Sequence, residues 1–303
     1  MYDVIIIGAG PAGMTAGLYA VRSGLSTVIL ESEVYGGQVV NTAEIENYPC
    51  VKNIAGWEMA QQMYDQITDA GVSVVFDKVV SLKKNDGCFT VESADNSYEC
   101  RAVIIANGAK HRKLGCSGEA ELSGRGVSYC ATCDGSFFRD KRVAVIGGGN
   151  TALEDALYLS NICEKVFLVH RREEFRAEKQ LCEVISQKKN IELRLGIVPE
   201  KIVGSERVEE VLLKKIDSDD FETLSVDAVF VAIGMEPDNK PFSEVVQIND
   251  GGYIVANENC ETSCPGVYAA GDTRTKLLRQ IVTAVSDGAI AAAQALTYIR
   301  SCK

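Results

Sequence analysis

One local pattern occurs twice in this 303-residue chain and constrains its fold more than any other feature: an apolar strand, a glycine-rich turn, a helix and a second strand. The first copy runs from an expected strand at 4–7, through Gly8-Ala9-Gly10-Pro11-Ala12-Gly13, into an expected helix at 14–23 and a strand at 26–30. Gly8 permits the tight turn, Gly10 lets the backbone approach a pyrophosphate, and Gly13 lets the helix pack on the strand. The phosphates would sit at the helix N-terminus, where free N–H groups and the dipole favour negative charge. Glu31 stands 21 residues beyond Gly10, the distance at which a carboxylate meets a ribose hydroxyl.

The second copy has an expected strand at 142–146, the turn Gly147-Gly148-Gly149-Asn150-Thr151-Ala152, a helix at 153–160 and a strand at 166–169. His170 lies 21 residues beyond Gly149, so the spacing repeats while the acid does not. In its place come His170, Arg171 and Arg172, with Arg176 four residues further on, expected on a loop and the start of the next helix. A carboxylate would repel a ribose 2′-phosphate, whereas a guanidinium binds it through forked, charge-assisted bonds. The alternative is a solvated basic turn. An acidic first site and a basic second one point to FAD in the first and NADPH in the second. The expected fold class is therefore α/β, with two Rossmann-like nucleotide-binding domains.

Between the two copies lies Cys130-Ala131-Thr132-Cys133-Asp134. Two thiols at this spacing are a redox pair, half of a zinc site, or an accident in a chain with 11 cysteines. Zinc needs two further ligands, for which Cys260 and Cys264 are the best remaining pair, since His111 and His170 are the only histidines. The flanking nucleotide motifs favour redox, with no metal. Asp134 is then a candidate acid–base group; its plainer role is to cap the helix that begins there.

A net charge of −11 argues against a nucleic-acid partner. No apolar run approaches the length of a membrane span. Met1-Tyr2-Asp3 leads straight into the first strand with no basic n-region, so a secretion signal is not expected, and cysteines without framework spacing suggest a reducing compartment, by default the cytoplasm.

Taken in order, residues 8–13, Gly36-Gly37-Gln38, Glu46-Asn47-Tyr48-Pro49, Ala106-Asn107-Gly108-Ala109, 130–134, 147–152, 170–177, Gly271-Asp272 and Arg279-Gln280 resemble the low-molecular-weight, bacterial-type thioredoxin reductases from end to end. The resemblance implies three-layer ββα domains, the second inserted in the first: residues 1–112 and 243–303 for FAD, and 113–242 for NADPH and the cysteine pair. It implies flavin contacts at Gly37 and Gln38, with Asn47 near the ring, Asp272 accepting from the ribitol, and further cofactor contacts at Ala106, Gly108, Gly271, Arg279 and Gln280. The helix at 281–299 would aim its positive end at the flavin's N1–C2=O edge. Cys133 becomes the flavin-side sulfur, Cys130 the one that attacks the partner, thioredoxin, and the assembly a homodimer. The family usually has threonine where Asn107 stands and glycine where Cys50 stands.

Pyridine nucleotide and disulfide then ride on one domain and must take turns at the flavin, so two rigid-body arrangements are expected, with hinges at 110–113 and 237–241. The rival readings are a flavoprotein reductase of another protein disulfide, such as that of a peroxidase component or glutaredoxin-like carrier; a reductase of an iron–sulfur protein, which has no need of the cysteine pair; and a metal-stapled binding module. Residues 72–99 are expected to form hairpins over the first domain.

Overall fold

Val4, Ile5, Ile6 and Ile7 form an unbroken apolar run because both faces of the strand Tyr2–Ile7 are covered. Val4 and Ile6 pack on one side with Met14, Ala16 and Ala20 of the helix Pro11–Arg22. Ile5 and Ile7 pack on the other with Val103, Ile105 and Val267. The computed structural model describes residues 1–42 and 44–302. These fall into two units, Met1–Lys110 with Glu236–Lys303, and His111–Met235.

In the first unit, Tyr2–Ile7 pairs in parallel with Thr27–Glu31 and with Ser97–Ile105. Ser97–Ile105 is long enough to take antiparallel Phe89–Ser93 along its first half and parallel Val267–Ala269 along its second. The later part of the chain thereby completes a sheet begun at the N-terminus. The stretch expected as hairpins is only partly so. Val79–Lys84, Phe89–Ser93 and Ser97–Ile105 form an antiparallel meander. Ser73–Phe76, in contrast, pairs in parallel with Thr27–Glu31 after the crossover helix Gly56–Asp69. The crossover makes it a βαβ strand, which periodicity alone did not distinguish. Helix Ile281–Ser301 lies on Pro11–Arg22 through alanines, and a Cβ at Gly288 would come within 2.2 Å of the Ala12 carbonyl oxygen. The return boundary falls ahead of 237–241 because Phe242 and Asn239 belong to the first unit's interior, each 2% exposed.

The second unit has a parallel sheet in the order Ile191–Leu195, Lys165–His170, Arg142–Ile146, Ala228–Val231, Val127–Ser128. Val143 and Val145 face Leu153, Ala156 and Leu159 of the helix Asn150–Ser160. Ala144 and Ile146 face Ile202, Val211, Leu213 and Leu224 of an antiparallel three-stranded sheet. Sheet, sheet and helix make the three layers. Both glycine turns enter their helices at once, at Pro11 and Asn150, a few residues earlier than expected; proline at the first helical position has its φ already set for the helix. Among the described residues no helix is long and apolar enough to cross a membrane.

Candidate active site

In the first unit, the glycine turn is shaped by what a side chain would strike. A Cβ at Gly8, where φ is +102°, would lie 2.5 Å from the Ala106 oxygen, and one at Gly13 would lie 1.8 Å from the Gly8 oxygen. Nothing lies within 4 Å of the corresponding position at Gly10, so this face is open. Glu31 is pinned beside the turn: its Oε2 accepts from the Ala9 N–H at 2.7 Å and its Oε1 from the Glu33 N–H at 2.9 Å. The Gly36 N–H donates to the Ala9 carbonyl at 2.7 Å, which lays Gly37 and Gln38 along the same turn.

Two other predicted residues, Ala106 and Gly271, lie against this turn. Ala106 donates its N–H to the Ile7 carbonyl at 2.8 Å, and Gly271 abuts Ala12, whose Cβ lies 2.9 Å from where a Cβ at 271 would be. Gly108 follows two residues after Ala106, at φ +66°. Asn47 donates to Gln280 Oε1 at 3.0 Å, and Gln280 and Thr283 form a reciprocal capping box at the start of Ile281–Ser301. Asp272 has a buried Oδ1 with no partner among the described residues. Burial pushes its carboxyl up, with Lys276 and Arg279 pulling the other way. A buried acceptor left free in this way suits a ligand hydroxyl. Arg279 is a brace: it reaches the Asp272 carbonyl at 3.5 Å and the Arg274 carbonyl at 3.4 Å, and lies over the Tyr253 ring at 4.2 Å.

Behind the Gly271–Asp272 loop, Asp287 accepts from the Gly271 N–H at 2.9 Å, from Arg274 at 3.2 Å and from Lys276 at 2.8 Å. All three charged side chains are less than a tenth exposed. No sequence pattern pointed to this cluster, whose members come together only through the turn before the last helix.

In the second unit, Gly147 sits where a Cβ would come within 2.3 Å of the Ala232 oxygen, while Gly149 again has open space. Asn150 ties the turn to the following loop, its Oδ1 accepting from the Glu178 N–H at 2.9 Å. The Arg176 N–H donates to the Gly148 carbonyl at 2.8 Å. Arg172 and Arg176 therefore lie on a loop folded back onto the turn, and the next helix starts only at Lys179. Arg171, Arg172, Arg176 and Thr151 are exposed. His170 is buried against Gly148 and stacks on Phe175; its Nε2 has no partner among the described residues, and burial holds its pKa down. An open glycine face at a helix start beside three exposed guanidinium groups fits a nucleotide bearing an extra phosphate.

Cys130 and Cys133 are joined in a disulfide. Cys130 follows the edge strand Val127–Ser128, and the short helix Ala131–Asp134 carries Cys133. This segment lies close on Asn150–Ser160: a Cβ at Gly135 would come within 2.9 Å of Leu159 and 3.0 Å of Tyr158. Both sulfur-bearing residues are half-buried. Asp134 makes no capping bond; its Oδ2 accepts from the Ser128 hydroxyl at 2.6 Å, and burial pushes its carboxyl up against that bond. Cys260 and Cys264, the pair that a zinc site would need, are buried in the first unit with their sulfurs towards the Asp287 and Pro265 carbonyls. Among the described residues no cluster of His, Cys, Asp or Glu is placed to hold a metal ion.

Residues 2–288 match the sequence profile of the pyridine nucleotide-disulphide oxidoreductases. The chain belongs to that family. The thioredoxin reductase of Listeria monocytogenes is 43% identical over 100% of this chain and 95% of its own length, and that of Bacillus subtilis 42% identical over 99% and 95%. Among solved structures, the thioredoxin reductase of Streptococcus pyogenes superposes with a TM-score of 0.95 at 42% identity, over 99% of both chains. That of Lactococcus lactis, described as being in the FR conformation, gives 0.69 at 38% identity, over 99% of this chain and 100% of the other. Within the family the chain groups with the bacterial thioredoxin reductases, as an oxidoreductase with a redox-active disulfide.

Both departures from the usual thioredoxin reductase sequence have local consequences. Asn107 uses its amide to donate to the Asp238 carbonyl at 2.9 Å and to Asn239 Oδ1 at 3.2 Å, linking the strand end before residue 110 to the chain after residue 236. Threonine has no such pair of donors. Cys50 sits at φ +71°, where glycine is the residue without a steric penalty. Ser128 was not legible as a site residue, because its tie to Asp134 depends on how the chain turns between them.

Proposed function

We propose that the chain passes electrons from NADPH, held at the second unit's turn, through FAD, held at the first unit's turn, to the Cys130–Cys133 disulfide and then to the disulfide of thioredoxin. The observation that carries this reading is the disulfide itself, formed between half-buried cysteines on the unit that also bears the arginine-flanked glycine turn. FAD, when bound, supplies a two-electron relay between the nicotinamide hydride and the disulfide. The chain's own groups do the rest. The open face at Gly10 receives the pyrophosphate, Glu31 the adenosine ribose, and Asp272 Oδ1 a ribityl hydroxyl; Gly37, Gln38, Asn47, Gly108, Gln280 and the start of helix Ile281–Ser301 line the flavin, and Arg279 braces that loop. Gly149, Asn150 and Thr151 would take the second pyrophosphate, with Arg171, Arg172 and Arg176 on the 2′-phosphate; His170, its pKa held down by burial, packs against Gly148 of the same turn.

Two electrons and two protons convert the disulfide to two thiols, with Cys133 as the flavin-side sulfur and Asp134 delivering a proton. Cys130, as thiolate, then attacks the thioredoxin disulfide; Cys133 resolves the mixed disulfide and expels the second thioredoxin sulfur, re-forming Cys130–Cys133. Because nucleotide and disulfide share one unit, turnover needs two arrangements, with the hinges where the chain passes between the units, at 110–111 and 235–236. The FR label on the Lactococcus lactis relative supports a fold with more than one named state. The protein acts as a homodimer in the cytoplasm.

Anaerobic titration with NADPH tests the reading. Loss of flavin absorbance should consume about two hydride equivalents per flavin, one for the ring and one for the disulfide; a single equivalent would remove the disulfide from the path. Arg176→Ala should raise KM for NADPH about ten- to a hundredfold and leave NADH use nearly unchanged, since one charge-assisted bond to phosphate is lost. Equal loss with both nucleotides would take the 2′-phosphate away from this loop.

A further inference from the structure

We infer that Ser128 is a positioning residue for the acid of the redox centre: its hydroxyl holds the Asp134 carboxyl against the Cys130 backbone and changes its own donor role as that carboxyl gains or loses a proton. The inference rests on the reading of Asp134 as the acid–base group. Ser128 is buried, 5% exposed, at the end of the strand Val127–Ser128, where Phe230 of the neighbouring strand fixes its register. Its Oγ lies 2.6 Å from Asp134 Oδ2, 3.1 Å from the Cys130 N–H and 3.4 Å from the Cys130 carbonyl oxygen.

A hydroxyl has one proton to give and two lone pairs to fill. With Asp134 ionised, the proton goes to Oδ2 and the Cys130 N–H fills a lone pair. With Asp134 protonated at Oδ2, the carboxyl O–H becomes the donor, and the Ser128 hydroxyl turns to the Cys130 carbonyl. The switch moves no proton out of the pair; it alters only which partner each oxygen serves. Protonation of the acid is thereby transmitted to the backbone of the first sulfur. The surroundings add little else. Helix Ala131–Asp134 packs on Asn150–Ser160, whose titratable groups are Glu154, Asp155 and Tyr158; Gly135–Phe138 has none, and Arg139 and Asp140 follow it. Burial raises the Asp134 carboxyl and donation from Ser128 opposes it, with no charged neighbour contributing.

The test is a titration of the Asp134 carboxyl in the flavin-loaded, oxidised protein, by carbon NMR of labelled aspartate, with the resonance assigned through Asp134→Asn. Ser128→Ala removes a donor to the charged form, so the midpoint should rise by about one to two pH units, and the matching limb of the thioredoxin-reduction pH profile should rise with it. Ser128→Thr, which keeps the hydroxyl, should return both to the wild-type position. An unmoved midpoint in Ser128→Ala, or the same rise in Ser128→Thr, overturns the role of Ser128. A midpoint that moves while the activity limb stays overturns instead the acid–base role of Asp134 on which the inference rests.

Discussion

Replacing Cys130 with serine is expected to lower thioredoxin reduction by roughly a thousandfold or more, the scale on which loss of a covalent nucleophile is felt. Reduction of the flavin by NADPH should survive, because the nucleotide turn at 147–151 and the first unit's turn at 8–13 make no use of that sulfur. The anaerobic titration should then fall from about two hydride equivalents per flavin to about one. Cys133→Ser should be as damaging, and the double variant no worse than either single one, since groups that act as a unit lose their function together. Serine is close in size to cysteine, and both positions are only half-buried, so packing is little disturbed. Retained thioredoxin turnover in Cys130→Ser would remove the disulfide from the electron path.

The second large effect is on stability. Asp287→Ala should cost about 3–5 kcal/mol, read as a lowered unfolding midpoint and earlier release of flavin on heating. Arg274 and Lys276 have side chains only 4% and 8% exposed, and Asp287 is the carboxylate that both contact. Its removal leaves two cations out of water without the carboxylate that contacts them. Arg274 would keep its bonds to the Ala256 and Asn257 carbonyls, at 3.3 and 2.7 Å, whereas the Gly271 N–H would lose its acceptor. Changing all three charged residues to apolar ones of similar volume should restore much of the loss, because well-packed apolar groups replace buried ion pairs at little cost. A midpoint unchanged in Asp287→Ala would show that water reaches the cluster.

The redox pair and the buried charge cluster differ in what brings their members together. Cys130 and Cys133 are three residues apart, so their pairing is a local matter, open on spacing alone and favoured by the flanking nucleotide turns. Asp287 lies 13 residues from Arg274 and 16 from Gly271, and only the passage from the Gly271–Asp272 turn into Ile281–Ser301 brings them together. The parallel strand Ser73–Phe76 reads as part of a hairpin in the sequence for a similar reason, since its partner Thr27–Glu31 lies beyond an intervening helix.

By itself the amino-acid order determined both glycine turns, the acid at 31 and the arginines at 171–176, the cysteine pair and the α/β class, because each depends on backbone freedom, periodicity or charge within a few tens of residues. Tertiary structure alone decided that Asp134 rests on Ser128 rather than on a helix N–H, that Asn107 joins Asn239, and that Asp287 neutralises two buried cations. Those contacts depend on distances between separately formed elements, which the packing of the sheets and helices sets and no spacing along the chain records.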